Sequence, residues 1–167
     1  KEELRRDTFA DWWKKYRVFV ISVIVLAIGG VGIWEFMKAQ RASDIDRQAK
    51  VYDTATAALQ KGDLAGAKAS FTQLAPEQGG FGALANLMLA SVEKDQSNDP
   101  KLMEPHLRAA SERDAGLIGD MARLKLAYAM ADTADLAQLE AAVKRLVDKG
   151  GYAGALAREV VAAKALA

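Results

Sequence analysis

The sequence predicts an all-α protein in which one transmembrane helix is followed by a solenoid of helical hairpins. Residues 18–34, "VFVISVIVLAIGGVGIW", form a 17-residue run in which Ser22 is the single polar side chain. Beyond this run the apolar residues recur with the period of an α-helix, and few segments alternate with period two. The stretch "GGFGALA" at 79–85 returns as "GGYAGALA" at 150–157, which indicates an internal repeat.

The composition excludes several classes of function. The chain has 23 basic and 22 acidic residues and a net charge of +1, so no overall field attracts nucleic acid, and no nucleic-acid partner is expected. It has no cysteine, which excludes disulfides, thiol catalysis and thiolate metal sites. The chain begins without methionine and ends inside a helical pattern, so we expect further sequence beyond both ends.

The transmembrane helix is predicted at residues 18–37. At about 1.5 Å per residue the apolar run measures roughly 25 Å, and flanking apolar residues extend it towards the ~30 Å hydrocarbon core. A charged helical pattern follows the run instead of a cleavage site, which argues against a signal peptide. The small residues within it would let a second membrane helix approach closely. The span residues singled out are Val18, Ile21, Val25, Gly29, Gly30 and Trp34.

Residues 1–17 are predicted to form a cytoplasmic amphipathic segment at the membrane surface. Its aromatic residues share one helical face, and basic residues beside them suit lipid phosphates. The membrane-interface residues are Trp12, Trp13, Lys14, Lys15, Tyr16 and Arg17. Three of these are basic and close to the span, whereas only Lys38 is close on the other side, which predicts a cytoplasmic N-terminus. In a bacterial inner membrane, residues 38–167 would then lie in the periplasm.

Residues 38–167 are predicted to form a helical repeat domain of seven helices, the seventh beginning near Tyr152. The apolar stripes of the first six are Ile45, Ala49, Tyr52, Thr56 and Leu59; Leu64, Ala67, Phe71 and Leu74; Leu84, Leu87, Met88, Ser91 and Val92; Met103, Leu107 and Ala110; Leu117, Met121, Leu124 and Tyr128; and Leu136, Leu139, Val143 and Leu146. Aspartates at 63, 99 and 135 are the predicted N-caps, and Pro100 follows the second of them at a first helical position. A polar loop is expected at 93–101.

The repeat period identifies the type of array. Hairpins beginning at Asp63 and Asp135 are 72 residues apart, and Asp99 opens a weaker copy midway. A two-helix period near 36 residues is typical of tetratricopeptide-like arrays. The repeated glycines are interpreted as helix ends, because neither a preceding strand nor a Gly-Lys-Ser/Thr sequence is present to make a phosphate loop. Gly82 and Gly154 lie one turn into their helices and are expected to let a packed helix approach closely.

No enzymatic site is predicted. His106 is the single histidine, and most carboxylates alternate with lysine or arginine, as on a solvated helix face. The sequence therefore predicts no catalytic, cofactor-binding or metal-ligating residue, no cofactor, and a protein that is not an enzyme. A metal-dependent enzyme using His106 is the third, least favoured reading.

The motifs "EELRRD" and "WWKKYR" near the N-terminus, "YDTATAALQKGD" at 52–63 and "GGFGALANLMLA" at 79–90 resemble the ancillary SecYEG translocon subunit family, the YfgM-like single-pass tetratricopeptide proteins of alphaproteobacterial type. The resemblance implies an inner-membrane protein with periplasmic repeats. It also implies association with the translocon, with a periplasmic chaperone or membrane-anchored prolyl isomerase, and with exported polypeptides, and it carries no catalytic residues.

Together these observations predict a membrane-anchored periplasmic scaffold that holds a protein segment on its concave surface. That surface is expected to be lined by the first helix of each hairpin. The candidate partner-binding residues are Tyr52, Asn86, Arg123 and Tyr128. The alternative is an accessory or assembly subunit of another inner-membrane complex, such as a respiratory enzyme.

Overall fold

The computed structural model describes residues 34–97 and 99–166, in which every regular element is an α-helix and no strand occurs. Clustering of contacts divides the chain into two compact units, Lys1–Asp46 and Arg47–Ala167. In the first unit, residues 34–46 are helical. The predicted interfacial segment and, apart from 34–37, the predicted span lie outside the described residues. Within the described ranges, no helix combines the length and the apolar character needed to cross a membrane.

The described residues of the second unit form seven helices, as the apolar periodicity predicts. In the second unit, residues 47–60 are helical and are labelled α1. The others are α2 (Leu64–Leu74), α3 (Gly80–Ser97), α4 (Pro100–Arg113), α5 (Leu117–Met130), α6 (Leu136–Lys149) and α7 (Gly151–Ala165). The loop predicted at 93–101 is shorter than expected, because α3 continues to Ser97.

The aspartate caps begin three of these helices as predicted. The Asp63 carboxylate accepts a hydrogen bond from the Gly66 N–H at 2.9 Å. Asp99 accepts one from Lys101 N–H at 2.9 Å, with a proline in the first turn. Asp135 forms a complete capping box with Gln138. Each bond satisfies a backbone donor that a helix start otherwise leaves unpaired.

Gly150 is the C-cap of α6, which confirms its interpretation as a helix end, whereas Gly79 lies in the turn before α3, because α2 already ends at Leu74 with Ala75 as its C-cap. Gly79 and Gly150 have φ angles of 89° and 75°, a left-handed conformation that side chains with a Cβ rarely adopt. The connection before α5 is stabilised by a side chain instead. The Asp114 carboxylate accepts hydrogen bonds from the N–H groups of Gly116 at 3.1 Å and Gly119 at 3.0 Å.

The second unit arranges its helices in two layers. α5 contacts both α3 and α7, whereas α2, α4 and α6 do not contact one another. In a curved array the layer whose helices lie closer together is the inner one, so α3, α5 and α7 form the inner layer. The prediction that the first helix of each hairpin lines the concave side is therefore wrong, because the hairpins beginning at Asp63, Asp99 and Asp135 contribute their second helices.

The core confirms most predicted stripes. α2 buries Ala67, Phe71 and Leu74, and α6 buries Leu139, Val143 and Leu146. Single members of other predicted stripes, Ile45, Leu64, Ser91 and Leu136, are exposed, and helix α5 departs furthest from its prediction. It exposes Leu117, Met121 and Tyr128 of its predicted stripe. It buries instead Gly119, Asp120, Ala122, Arg123, Leu126, Ala127 and Met130. The predicted face of α5 is thus wrong, because contacts with α3, α4, α6 and α7 enclose its small residues.

Three glycines allow close approach between each inner helix and the end of the preceding element. A Cβ at Gly82 would lie 1.8 Å from the Glu77 carbonyl oxygen, and one at Gly119 would lie 1.8 Å from that of Asp114. At Gly154 the distance to the Leu146 carbonyl oxygen would be 2.6 Å. The expectation of a close packed helix is confirmed for Gly154, which lies against α6, whereas Gly82 and its equivalent in the weaker middle copy, Gly119, lie against the connections that precede their own helices.

Candidate protein-interaction surface on the inner layer

Tyr128 is the most prominent of the predicted partner-binding residues. It lies near the C-terminal end of α5, and 52% of its surface is exposed. Its side chain lines two separate grooves, one on each side of α5. An aromatic ring between two clefts offers apolar area together with a hydroxyl group, a combination enriched at protein interfaces.

The first groove, of about 390 Å³, lies between α3 and α5 with α4 at its base. Its apolar lining includes Leu87, Met103 and Leu107, whose side chains are buried or half-buried. Its charged rim consists of Lys94, Asp95 and Lys125.

The second groove, of about 440 Å³, lies between α5 and α7. Its apolar lining consists of Ala131, Val160 and Ala163. Its charged rim consists of Asp132, Glu159 and Lys164. The inner layer thus carries two neighbouring clefts with small apolar floors, separated by Tyr128.

Tyr52 is half-buried at the junction of α1, α2 and α3. Its ring lies 5.7 Å from that of Phe71 in an edge-on arrangement and 5.9 Å from that of Phe81. Burial, together with the nearby negative charge of Asp53, raises the pKa of the Tyr52 phenol above its ordinary value. Tyr52 is therefore a neutral aromatic contact that joins the first three helices of the second unit.

Asn86 lies inside the array, with 3% of its surface exposed. Its side-chain amide donates hydrogen bonds to the carbonyl oxygens of Ala75 and Gly82, each at 2.9 Å. These bonds join the end of α2 to the first turns of α3. The structure thus places Asn86 in a packing position, with its amide hydrogens directed into the protein.

Arg123 is also internal, with 9% of its surface exposed. Its guanidinium donates to the Asp120 carboxylate at 3.1 Å and to the Ser111 carbonyl oxygen. Lys149 at the end of α6 pairs with the same carboxylate. This network ties α4, α5 and α6 together, so Arg123 does not lie with Tyr128 on the inner face.

His106 is half-buried on α4. Burial lowers its pKa below the ordinary value, Lys68 lowers it further, and Glu93 opposes the shift. Among the described residues, no three histidine, cysteine, aspartate or glutamate side chains are grouped as a metal site would require.

The sequence analysis did not identify the charged rims of the two grooves. Lys94, Lys125, Asp132 and Glu159 read as ordinary solvated residues, because a linear pattern does not show which helices meet in the inner layer. The one signal concerns Lys125 and Asp132, which lie three residues before Tyr128 on α5 and four residues after it in the turn that follows α5.

A family model for the tetratricopeptide repeat-like domain matches residues 10–158. Searches of the curated proteins and of the solved structures find no match to the chain. Two-helix repeats of this type stack into extended surfaces that generally mediate protein interactions. The match covers most of the sequence and agrees with the paired helices and their two layers, so the chain belongs to the tetratricopeptide repeat-like domain family.

Proposed function

We propose that this protein is a membrane-anchored scaffold of the bacterial inner membrane, with a cytoplasmic N-terminus and periplasmic repeats. In this proposal it is an accessory subunit of the protein-export translocon. The repeats hold segments of exported polypeptides and bring them to a periplasmic chaperone or prolyl isomerase.

The inner layer carries the proposal. Tyr128 stands exposed between two grooves with small apolar floors and charged rims. Such a surface suits a polypeptide segment, because apolar floors accept side chains while the rims orient polar neighbours.

The basis of the membrane anchor is the apolar run of residues 18–34. Trp34, Phe36 and Met37, at the end of the predicted span, are helical and exposed, as lipid-facing side chains would be.

The proposed role is non-enzymatic. Three enclosed polar residues of the repeats, Asn86, Asp120 and Arg123, are engaged in joining helices. A scaffold needs no reactive group, and its partners supply the chemistry.

The topology can be tested by cysteine labelling, which the sequence makes simple because the chain has no native cysteine. Single variants Thr8→Cys and Ala163→Cys in intact cells are treated with a membrane-impermeant maleimide. Labelling of position 163 alone supports the proposed topology, provided that position 8 is labelled after lysis. Equal labelling of both positions in intact cells would contradict it.

The partner can be tested by placing a photo-crosslinking amino acid at position 128 in native membranes. We expect covalent adducts with exported polypeptides, with the translocon co-purifying. The same amino acid at position 140, which is exposed on α6 of the outer layer, is the control and should give few adducts. Stoichiometric recovery of a respiratory enzyme or another inner-membrane complex, without export components, would overturn the translocon role and favour the alternative.

A further inference from the structure

The two grooves beside Tyr128 differ in charge. The rim of the first has two lysines and one aspartate, Lys94, Lys125 and Asp95. The rim of the second has two carboxylates and one lysine, Asp132, Glu159 and Lys164. The inner surface is therefore net basic on one side of Tyr128 and net acidic on the other, over apolar floors of similar size.

We propose that this double groove binds an extended, proline-containing polypeptide segment with apolar side chains at positions i and i+3, an acidic residue over the first groove and a basic residue over the second. The inference rests on the proposed function in that the partner is a polypeptide. It goes further by specifying the backbone conformation and the charge pattern of that partner.

The spacing of the grooves favours this conformation. Packed helices lie about 8–10 Å apart, so clefts on the two sides of α5 are separated by about the same distance. A polyproline II segment rises about 3.1 Å per residue and has three residues per turn. Its side chains at i and i+3 therefore point the same way at about 9 Å, which fits clefts that are one helix spacing apart.

Tyr128 itself argues against a helical ligand. A helix with its side chains is about 10–12 Å in diameter, and one lying across the inner layer would rest on the exposed ring and miss both floors. An extended segment can pass over the ring and lower one side chain into each groove. Aromatic rings are also the usual contact for proline in polyproline II recognition, since the preformed segment loses little entropy on binding.

The charged rims then select among extended segments. A ligand with one acidic and one basic flank meets an opposite charge on each side of Tyr128, whereas a ligand with two like flanks meets repulsion on one side. Exposed ion pairs are individually weak and are screened by salt, so the selectivity should be modest and should fall at high ionic strength.

The experiment measures binding of four fluorescent peptides to the full-length protein in detergent micelles by fluorescence polarisation. One peptide has prolines at i and i+3 with an acidic and a basic flank. Two have the same prolines with two acidic or two basic flanks, and the fourth has the mixed flanks but prolines at i and i+2. At low salt we expect the mixed i, i+3 peptide to bind about 5-fold more tightly than either like-charged peptide. We expect it to bind about 10-fold more tightly than the i, i+2 peptide.

A charge reversal gives the sharpest result. In the double variant Lys94→Glu, Lys125→Glu both rims are acidic, so the preferred peptide should change from the mixed one to the one with two basic flanks. Tyr128→Ala should weaken binding of the mixed peptide about 10-fold. Tyr152→Ala is the matched control, since Tyr152 is 82% exposed on α7 and lines neither groove.

Equal affinity for all four peptides at low salt, or a double variant with unchanged preference and a native circular dichroism spectrum, would overturn the inference. Photo-crosslinking at position 128 distinguishes a failure of this inference from a failure of the proposed function. Adducts with exported polypeptides alongside equal peptide affinities leave the proposed function standing and reject the double-groove specificity. Loss of those adducts rejects the proposed function itself.

Discussion

Helices α5 and α6 are consecutive, have 14 residues each and bury different kinds of side chain. Helix α6 buries three large apolar residues, Leu139, Val143 and Leu146, at the spacing that its sequence predicts. Helix α5 buries three small residues, an ion pair and two large apolar residues, Leu126 and Met130, while it exposes Leu117 and Tyr128.

The difference follows from the number of neighbours. Helix α6 contacts two helices, α5 and α7, so one apolar stripe suffices to bury its inward face. Helix α5 contacts α3, α4, α6 and α7, and close packing on several sides favours small side chains. Three of its large residues, Leu117, Met121 and Tyr128, are exposed, while Leu126 and Met130 are buried. An exposed apolar residue on an inner-layer helix is therefore a better indicator of a binding surface than an apolar stripe alone.

The largest expected effect comes from the ion pair that α5 buries. Asp120→Ala leaves the enclosed Arg123 guanidinium with the Ser111 carbonyl oxygen as its remaining hydrogen-bond acceptor. Removing one partner of a buried pair typically costs about 3–5 kcal/mol, so we expect the free energy of unfolding to fall by about 4 kcal/mol. Urea unfolding of the full chain in mild detergent, followed by circular dichroism, measures it.

Asp148→Ala is the matched control for that change. Asp148 pairs with Lys144 at 2.8 Å on the exposed side of α6, where an i, i+4 pair contributes about 0.3–0.5 kcal/mol. Equal losses of unfolding free energy in Asp120→Ala and Asp148→Ala would show that the Asp120–Arg123 pair contributes no more to stability than an exposed ion pair.

The next prediction compares one leucine from each helix. Leu146 of α6 is fully buried, and Leu146→Ala should lower the free energy of unfolding by about 3 kcal/mol through lost apolar contact and the cavity left behind. Leu117 of α5 is 77% exposed, and Leu117→Ala should change it by less than about 0.5 kcal/mol. The same urea titrations test both. A large loss of unfolding free energy in Leu117→Ala would show that Leu117 is buried, as the sequence predicts for α5.

These two helices also show how far the sequence determines the fold. Helix starts follow from local chemistry, so the caps at Asp63, Asp99 and Asp135 could be read from the chain. The buried face of α6 could be read as well, because one stripe dominates it. Helix α5 has apolar residues around most of its circumference, so its periodicity is ambiguous and the neighbouring helices decide its orientation.

The candidate site was predictable to a smaller degree for the same reason. Tyr128 was identified as a large aromatic residue, but its place between two grooves depends on the packing of α3, α5 and α7. Asn86 and Arg123 are polar residues in apolar surroundings, a pattern that fits both a binding surface and an internal hydrogen-bond network. The structure gives both side chains internal partners.

A smaller effect is expected at the glycine that brings α5 close to the preceding turn. Gly119→Ala places a Cβ 1.8 Å from the Asp114 carbonyl oxygen, a backbone atom that cannot rotate away. Overpacking costs up to about 3 kcal/mol, and about 1 kcal/mol returns through the higher helix propensity of alanine. The expected net loss is therefore about 2 kcal/mol in the free energy of unfolding.

Gly80→Ala is its control. A Cβ there would meet only the Ile118 Cδ1 atom at 3.4 Å, so stability should change little. If Gly119→Ala were as stable as the parent protein, the close approach at the start of α5 would not be required for packing.

The smallest effect concerns His106, the single histidine of the chain. Its pKa is lowered from 6.5, mainly by burial, so the unfolded chain binds a proton more readily than the folded one. The stabilising contribution is therefore complete above pH 6.5 and is lost as the pH falls from there through the lowered pKa. In the parent protein, the urea concentration at the midpoint of unfolding should fall as the pH is lowered from 8 to 5. In His106→Gln that fall should be smaller. Because the ring is only half-buried and Glu93 opposes the shift, the change should be the smallest of the four. An unchanged pH dependence in His106→Gln would assign the decline to other groups.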